Sequence, residues 1–285
     1  MSSLALSARD SARPIGRVKT KIAIAGLGAV GTSLARKLTA DGIPGIELVA
    51  VAARDKEKAR AALDRIGSRV PVLEIAALAQ VADLVVECAP SAILDRIARP
   101  VLEAGKKIMV LSVGALLAHP DLIQLAERTG GQIIVPTGAL LGLDAVSAAA
   151  EGHIDSVRMV TRKPVKGLLG APYLVEHNIA IEDIREPLKV YDGTARGAAT
   201  GFPANLNVAV ALSLAGIGPD RTHLEIWADP HLTRNTHRIV VDSDSARFDM
   251  TIENIPTENP KTGRITALSV IAALRKLNGA IRVGT

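Results

Sequence analysis

Three glycines near the start of the chain, Gly26, Gly28 and Gly31, have the spacing G-x-G-x-x-G. An apolar run precedes them and an amphipathic helical pattern follows, which is the arrangement of a loop that binds the pyrophosphate of a dinucleotide. The first glycine allows a sharp turn, the second lets a phosphate approach the backbone, and the third lets the helix pack closely on the strand. The N–H groups of Ala29 and Val30, at the start of the helix, would bind the phosphates. The alternative is a glycine-rich turn that binds no ligand.

The end of the second predicted strand bears on which dinucleotide would bind. The strand ends at Ala53 and is followed by Arg54 and Asp55. An acidic residue near this position binds the ribose hydroxyls of NAD, whereas an Arg accommodates the 2′-phosphate of NADP. Because the acidic residue is displaced and Arg54 is well placed, the sequence favours a site that accepts NADP, alongside NAD. In the alternative interpretation, Arg54 and Asp55 only cap the next helix.

A further candidate contact with the cofactor lies at the end of a later apolar strand, where Glu87, Cys88 and Ala89 follow one another. Ligands of open α/β sheets lie beyond the carboxyl ends of the strands, so Ala89 is predicted to contact the cofactor. Cys88 is interpreted as a small apolar side chain rather than a nucleophile, because no histidine is near it in the sequence.

A bound nicotinamide would supply the redox chemistry, and the protein would then have to supply a proton donor or acceptor. Histidine suits this task because its usual pKa of about 6.5 lies near working pH. Of the six histidines, His237 lies in a predicted strand on the same face as Ile239 and Val241. This pattern alone favours a place in the apolar core. The strand, however, belongs to the domain that must cover the cofactor and follows the polar segment Thr233-Arg234-Asn235, so a catalytic role is equally open.

Two asparagines, Asn205 and Asn207, lie in the first turn of a helix predicted over residues 203–215. Either side chain could cap this helix, or could hold the nicotinamide carboxamide or the substrate. The sequence contains no C-x-x-C, H-E-x-x-H or G-x-S-x-G motif. Metal-dependent hydrolysis and serine-based acyl transfer therefore have no support, and no metal site is predicted.

The elements that must position these residues indicate an α/β fold. About six strands alternate with helices as far as residue 136, which is the pattern of an N-terminal Rossmann-type doubly wound parallel sheet. The strands after it have few helices between them, which indicates a C-terminal α/β domain with a mixed sheet. The predicted parts are a disordered tail at 1–19, a dinucleotide-binding domain at 20–137, a substrate domain at 138–258 and a C-terminal helix at 259–285.

The composition argues against several classes of partner. Aromatic residues make up 2% of the chain, too few for surfaces that stack nucleic-acid bases. Residues 1–21 hold five basic side chains and one acidic one, so +4 of the net charge of +5 belongs to this segment. No apolar run reaches the roughly 18–20 residues that span a membrane. A single cysteine allows no disulfide within the chain, which fits a cytoplasmic location.

Seven stretches together resemble the L-aspartate dehydrogenase family, and the resemblance runs from about Lys21 to the end of the chain. They are GLGAVG at 26–31, VLEAGKKIMVLSVGAL at 101–116, TGALLGLDAV at 137–146, TRKP at 161–164, FPANLNVAVALSLAG at 202–216, DPHLTRNTH at 229–237 and NPKTGRITALS at 259–269. The resemblance implies a C-terminal domain that forms a homodimer and a last helix that returns to the Rossmann domain. It also implies oxidation of L-aspartate to iminoaspartate with NAD or NADP. The imine then hydrolyses to oxaloacetate and ammonia or feeds NAD biosynthesis.

By motif match, the resemblance puts the family's catalytic histidine at His237 and its cofactor contacts at Asn207 and Ala139. Three cations, Arg162, Lys163 and Arg234, are available for the two carboxylates of the substrate, and the sequence does not choose among them. A dehydrogenase of another amino or imino acid and a dinucleotide-binding sensor without turnover are the alternatives.

Overall fold

The computed structural model describes residues 19–203, 206–256 and 263–285. The predicted disordered tail, except for Lys19, lies outside these ranges, as do Asn205 and the break predicted at residues 260–262. Within the ranges, no helix is both long enough and apolar enough to cross a bilayer.

The N-terminal part of the chain forms a parallel sheet. Its strands are β1 (Thr20–Ala25), β2 (Ile46–Ala52), β3 (Val72–Leu73), β4 (Leu84–Glu87), β5 (Lys107–Val110) and β6 (Gln132–Ile134). The helices between them are α1 (Ala29–Ala40), α2 (Lys56–Arg65), α3 (Ile75–Val81), α4 (Leu94–Glu103) and α5 (Asp121–Thr129), with short 3₁₀ segments at Ser91–Ile93 and Val113–Ala118. The strand order β3-β2-β1-β4-β5-β6 is that of a Rossmann sheet, which confirms the predicted fold.

The C-terminal part forms a second, mixed sheet, also as predicted. Its strands are β7 (Ile154–Pro164), β8 (Leu188–Thr194), β9 (Thr222–Asp229), β10 (Asn235–Ser243) and β11 (Arg247–Asn254). The helices of this part are α6 (Leu143–Ala150), α7 (Pro172–Glu176), α8 (Ala198–Gly201) and α9 (Asn207–Ala215), with a 3₁₀ segment at Val165–Gly167. The order is β11-β10-β7-β9-β8, and β7 pairs parallel with β9 while the other pairs are antiparallel. The domain boundaries themselves stay predictions.

The start of α9 and the strand β8 differ from the expectation, as do the short helices α7 and α8, which the sequence did not predict. The helix predicted from residue 203 begins at Asn207. The short helix α8 ends at Gly201, and the next residue, Phe202, has a φ of −133° and a ψ of 49°, which are not helical. A residue before a proline is biased away from helical angles, and Pro203 follows. Strand β8 was not predicted. Its register shifts between Lys189 and Tyr191, which breaks the alternation of buried and exposed positions.

The last helix, α10 (Arg264–Asn278), lies against the first sheet rather than the second. Its apolar side chains Val270 and Leu274 are fully buried, in the same core cluster as Ile22 and Ile24 of β1. At its end, Asn278 donates a hydrogen bond to the Gly45 carbonyl at 2.9 Å. The two ends of the described chain therefore complete one hydrophobic core, as predicted for this helix.

Candidate active site

A cleft of about 1690 Å³ lies between the carboxyl ends of the strands of the first sheet and one face of the second sheet. Ala25 at the end of β1 and Ala52 at the end of β2 line one wall, and Lys163 of β7 lines the other. Every residue predicted to bind the cofactor or to catalyse, except Gly31, lines this cleft: Gly26, Gly28, Ala29, Val30, Arg54, Ala89, Ala139, Asn207 and His237.

The glycine loop has the shape that a bound pyrophosphate requires. Gly26 has a φ of +103°, and a Cβ there would lie 2.6 Å from the carbonyl oxygen of Cys88. A Cβ on Gly31 would lie 2.0 Å from the oxygen of Gly26, so Gly31 acts through packing. Space within 4 Å of a Cβ at Gly28 is open, and no side chain caps the start of α1. Phosphate oxygens can therefore approach the backbone N–H groups of this turn, which fits a dinucleotide.

At the other end of the cleft, the carboxylate of Asp55 is already engaged. It accepts a hydrogen bond from the Lys58 N–H at 2.9 Å and so caps α2, as one of the two interpretations expected for this residue. Arg54 beside it is exposed, and both residues line the cleft. Two other cations, Arg36 and Arg65, line the same region. This end of the cleft therefore presents guanidinium groups that could bind an additional phosphate and, at Asp55, an exposed carboxylate that could bind ribose hydroxyls.

Asn207 connects the two halves of the cleft. Its side-chain oxygen accepts a hydrogen bond from the Gly114 N–H at 3.0 Å, which links the start of α9 to the loop after β5. Because the oxygen is held in this way, the amide NH₂ is the group that Asn207 can present to a ligand. Asn205, the other candidate, lies outside the described residues.

The loop that contains Ala139 is held by two residues that sequence reasoning missed. The carbonyl of Ala139 accepts a hydrogen bond from Asn254 Nδ2 at 2.9 Å, and the Gly138 N–H donates to Ser269 Oγ at 3.0 Å. Asn254 ends β11 and Ser269 lies in α10. The motif NPKTGRITALS contains Ser269, but nothing in its spacing indicates a contact with residue 138.

His237 is buried, with 2% of its surface exposed, and it lines the cleft from β10. Its Nδ1 lies 3.1 Å from the Thr161 hydroxyl, and the two residues are direct partners in the β7–β10 pair. Burial, and to a lesser extent the charge of Lys163, lowers the pKa of His237 to about 3. The ring is therefore neutral at working pH and is oriented by Thr161. Among the described residues no hydrogen bond to Nε2 is present, so this nitrogen can meet a ligand.

The three candidate cations for the substrate are in different surroundings. Lys163 is 5% exposed and lines the cleft. Arg162 points to the other side of the sheet, where it lies 3.5 Å from Asp229 and 4.7 Å from the centre of the Trp227 ring. Arg234 is an exposed residue that pairs with Glu253 at 3.6 Å. Only Lys163 of these three lines the cleft.

A buried carboxyl group, Glu87, lies beneath the cleft and was not predicted to have a role. It is fully buried and accepts hydrogen bonds from the backbone N–H groups of Ala89, Leu111 and Ser112 at 2.8, 3.1 and 2.8 Å. Burial raises the pKa of Glu87 although these hydrogen bonds oppose the shift. Since its three backbone partners line the cleft, Glu87 shapes the floor on which a ligand lies.

The neighbouring thiol has the surroundings of an inert side chain. Burial raises the pKa of Cys88 far above its usual value, and the charge of Glu87 adds to this effect. Within the described ranges, no group of three or more His, Cys, Asp or Glu side chains could hold a metal ion.

Comparisons with known proteins bear on both halves of the chain. The family model described as "Homoserine dehydrogenase, NAD binding domain" matches residues 26–136, and the model described as "Aspartate dehydrogenase, C-terminal" matches residues 144–277. The chain is 58% identical over 269 residues to L-aspartate dehydrogenase 3 of Bordetella bronchiseptica, which covers 94% of this chain and 99% of that one. It is 60% identical over 265 residues to L-aspartate dehydrogenase of Bradyrhizobium diazoefficiens, with 93% and 94% covered. The fold is similar to that of aspartate dehydrogenase from Thermotoga maritima, with a TM-score of 0.73, 24% identity and 93% and 99% covered.

Proposed function

Because this chain belongs to the L-aspartate dehydrogenase family, we propose that it oxidises L-aspartate to iminoaspartate with NAD or NADP and that His237 transfers the protons of the reaction. The role of His237 is supported by its position. It is a neutral histidine that contacts Thr161, and it lines the same cleft as the glycine loop. A histidine with only a structural role in the apolar core would not need to line the cleft.

The reaction needs one hydride acceptor and one proton acceptor. A bound nicotinamide would supply the acceptor for the hydride that leaves Cα of aspartate. His237 would take a proton from the substrate amine through Nε2, since Nδ1 is held by Thr161. Once this first proton has been released to solvent, Nε2 would take a second proton, from the water that attacks the imine carbon. Asn207 would orient the carboxamide of the cofactor through its NH₂ group, because its oxygen is engaged by Gly114.

The test of this function is a panel of substrates and cofactors. L-aspartate, L-glutamate, L-asparagine and L-alanine are each supplied with NAD and with NADP, and formation of the reduced cofactor is followed by absorbance. We expect kcat/KM for L-aspartate to exceed that of the other amino acids by at least about tenfold. Preference for another amino acid would contradict the assignment, and binding of the reduced cofactor without any turnover would indicate a sensor.

For the cofactor, we propose that NADP is accepted through Arg54. The support is that Arg54 lines the cleft while the Asp55 carboxylate is used as a helix cap.

Replacing Arg54 by alanine should raise the Kd for NADPH by about 10–100-fold, the effect of losing a charge-assisted hydrogen bond to phosphate, and should change the Kd for NADH by less than about twofold. Nicotinamide fluorescence measures both constants. Arg60→Ala is the matched control, since Arg60 is exposed on α2, the helix that follows Arg54, and does not line the cleft. Equal losses for both cofactors would contradict this role.

We also propose a homodimer formed by the second sheet. The supporting feature is the sheet face opposite the cleft, which carries half-buried or exposed apolar and charged side chains of both signs: Arg158, Val160, Glu225, Trp227, Arg238 and Val240. Such a face can pair with its own copy.

The mass in solution should therefore be about twice the 29.7 kDa of one chain. Val160→Glu would put a second carboxylate beside Glu225 on this face, so two copies of the face would bring like charges together, and association should weaken at least about tenfold. Val81→Glu, at an exposed apolar position on α3, is the control. Sedimentation equilibrium measures the association, and an unchanged mass for Val160→Glu would place the interface elsewhere.

Two wider proposals follow from the chemistry. With a single cysteine, the chain forms no disulfide of its own, which supports a location in the reducing cytoplasm. The imine product hydrolyses in water to oxaloacetate and ammonia. Where another enzyme takes it first, it would supply pyridine nucleotide biosynthesis.

A further inference from the structure

The carboxyl group of Glu87 has no part in the reaction proposed above, although it lies directly beneath the cleft. It is fully buried, at the end of β4. Removing a carboxylate from water has a large free-energy cost, which its surroundings must offset. A glutamine has nearly the same shape and carries no charge, so shape alone does not explain a glutamate at this position.

The hydrogen bonds around Glu87 favour its ionised form. Oε1 accepts from the Ala89 N–H at 2.8 Å, and Oε2 accepts from the N–H groups of Leu111 and Ser112 at 3.1 and 2.8 Å. The Ser112 hydroxyl is a further donor, 3.1 Å from Oε1. An ionised carboxylate only accepts hydrogen bonds and has room for all four, and backbone N–H donors stabilise its charge. Burial opposes this effect, so a positive charge in the cleft would stabilise the carboxylate further.

The strand order indicates which part of a dinucleotide would lie above Glu87. The glycine loop for the pyrophosphate follows β1, and Arg54, at the proposed site of the adenosine ribose, follows β2 on one side of it. Strands β4 and β5 lie on the other side of β1. A dinucleotide bound in this way must extend its nicotinamide half over the ends of β4 and β5. Glu87 ends β4, and its partner Ser112 follows β5.

The proposed contact of the nicotinamide is at the same place. Asn207 is held by the N–H of Gly114, which belongs to the same loop as Ser112. Ala89 and Ser112 line the cleft, so only their backbone separates the Glu87 carboxylate from a ligand. One hydrogen bond and one van der Waals contact of about 3.5–4 Å add up to about 7 Å between the carboxylate and a ring that lies on these residues.

We propose that the Glu87 carboxylate makes the site favour the oxidised over the reduced cofactor, an inference that rests on the dinucleotide-dependent function proposed above. The nicotinamide ring carries a positive charge when oxidised and none when reduced, so a buried negative charge attracts only the oxidised ring. At about 7 Å and an effective dielectric constant of about 20–40, this attraction corresponds to about 5–50-fold in relative affinity. The reduced cofactor lacks the attraction and leaves the site more readily.

The test compares Glu87→Gln with the wild-type protein, because glutamine keeps the shape and removes the charge. Titration calorimetry gives the Kd for oxidised NADP and NAD, and nicotinamide fluorescence gives the Kd for NADPH and NADH. The Kd for the oxidised form should rise about 5–50-fold more than the Kd for the reduced form of the same cofactor. Damage to the floor of the cleft alone would raise both constants by the same factor, since the two forms share every group except the ring charge.

Two further variants separate charge from shape. Asp83→Asn is the matched control, because Asp83 is exposed just before β4, at the end away from the cleft. Its ratio of the two Kd values should stay within about twofold of the wild type. Glu87→Asp shortens the side chain and keeps the charge, so both Kd values should rise while their ratio stays nearer to the wild type than that of Glu87→Gln. The ratio should also change little with salt, since a buried charge is screened weakly.

The outcomes distinguish this inference from the proposed function. Equal rises of the two Kd values in Glu87→Gln, or the same ratio in Glu87→Asp as in Glu87→Gln, would overturn the role of the charge. Failure of both Glu87 variants to fold or to bind either form would show a structural role and would also overturn it. Absence of aspartate-dependent turnover in a wild-type protein that binds both forms would overturn the proposed reaction alone, because the ratio is measured without turnover.

Discussion

Replacing His237 by alanine is expected to lower kcat by about 10²–10⁴-fold, the usual contribution of a positioned acid–base group. The Kd for the reduced cofactor should change little, because the glycine loop and Asn207 are on other elements. Stopped-flow measurement of reduced-cofactor formation gives kcat, and nicotinamide fluorescence gives Kd. His231→Ala is the control, since His231 is an exposed residue that does not line the cleft. A kcat within about tenfold of the wild type would exclude His237 as the acid–base group.

The same substitution has a signature in the pH dependence of stability. In the folded chain the pKa of His237 is lowered to about 3, whereas the unfolded chain binds this proton below about 6.5. Between these values the unfolded state holds more protons, so the free energy of unfolding rises with pH across this window. Between pH 4.5 and 6.5 this contribution is about 2–3 kcal/mol. His237→Ala should lack it, as urea unfolding of both proteins at the two pH values can measure.

Replacing Glu87 by alanine is expected to lower the free energy of unfolding by about 3–5 kcal/mol, because three backbone N–H groups lose a charged or strongly polar acceptor inside the protein. For a chain of this size, the melting temperature should fall by about 10 °C. The loops that contain Ala89 and Ser112 form the floor of the cleft, so the Kd for the reduced cofactor should also rise. Thermal unfolding followed by circular dichroism measures the first effect, and fluorescence measures the second.

Two further variants test the physical reason for this loss. Glu87→Gln has the same shape but only one acceptor oxygen, so it should lose about 1–3 kcal/mol, less than the alanine variant. Glu103→Ala removes an exposed carboxylate from α4 and should change stability by less than about 0.5 kcal/mol. If Glu87→Ala melts within about 2 °C of the wild type, the three hydrogen bonds are not a major source of stability.

The elements of the first sheet could be predicted because buried parallel strands are apolar runs between Gly or Pro breaks. Leu84–Glu87 and Lys107–Val110 are examples. For the second sheet, the sequence predicted the mixed strand arrangement but not the strand β8. In β8 only Val190 and Tyr191 are buried, and the bulge beside Tyr191 removes the two-residue period that would reveal a strand. The start of α9 was predicted too early because Pro203 favours the first turn of a helix, and here it follows the end of another.

Residues of the candidate site could be predicted where a short sequence motif itself indicates the function of its residues. The glycine loop and the histidine at the end of DPHLTRNTH are such cases, and both line the cleft. The remaining contacts depend on long-range pairing that has no local signal. Lys163 could be chosen over Arg162 only after the β7–β10 register was known, since neighbours along a strand point to opposite faces. Ser269 reaches Gly138 across 131 positions of sequence.

The return of α10 to the first sheet sets an order of events during synthesis. Thr20 at the start of β1 and Asn278 at the end of α10 are hydrogen-bonded across 258 positions. At about 5–20 residues per second, the ribosome needs about 13–50 s to make the chain between them. For that time Ile22 and Ile24 lack the covering side chains of the last helix. The strands of the second sheet are all complete by Asn254, so the hydrophobic core on this side of the first sheet is the last to be closed, although the first sheet is made first.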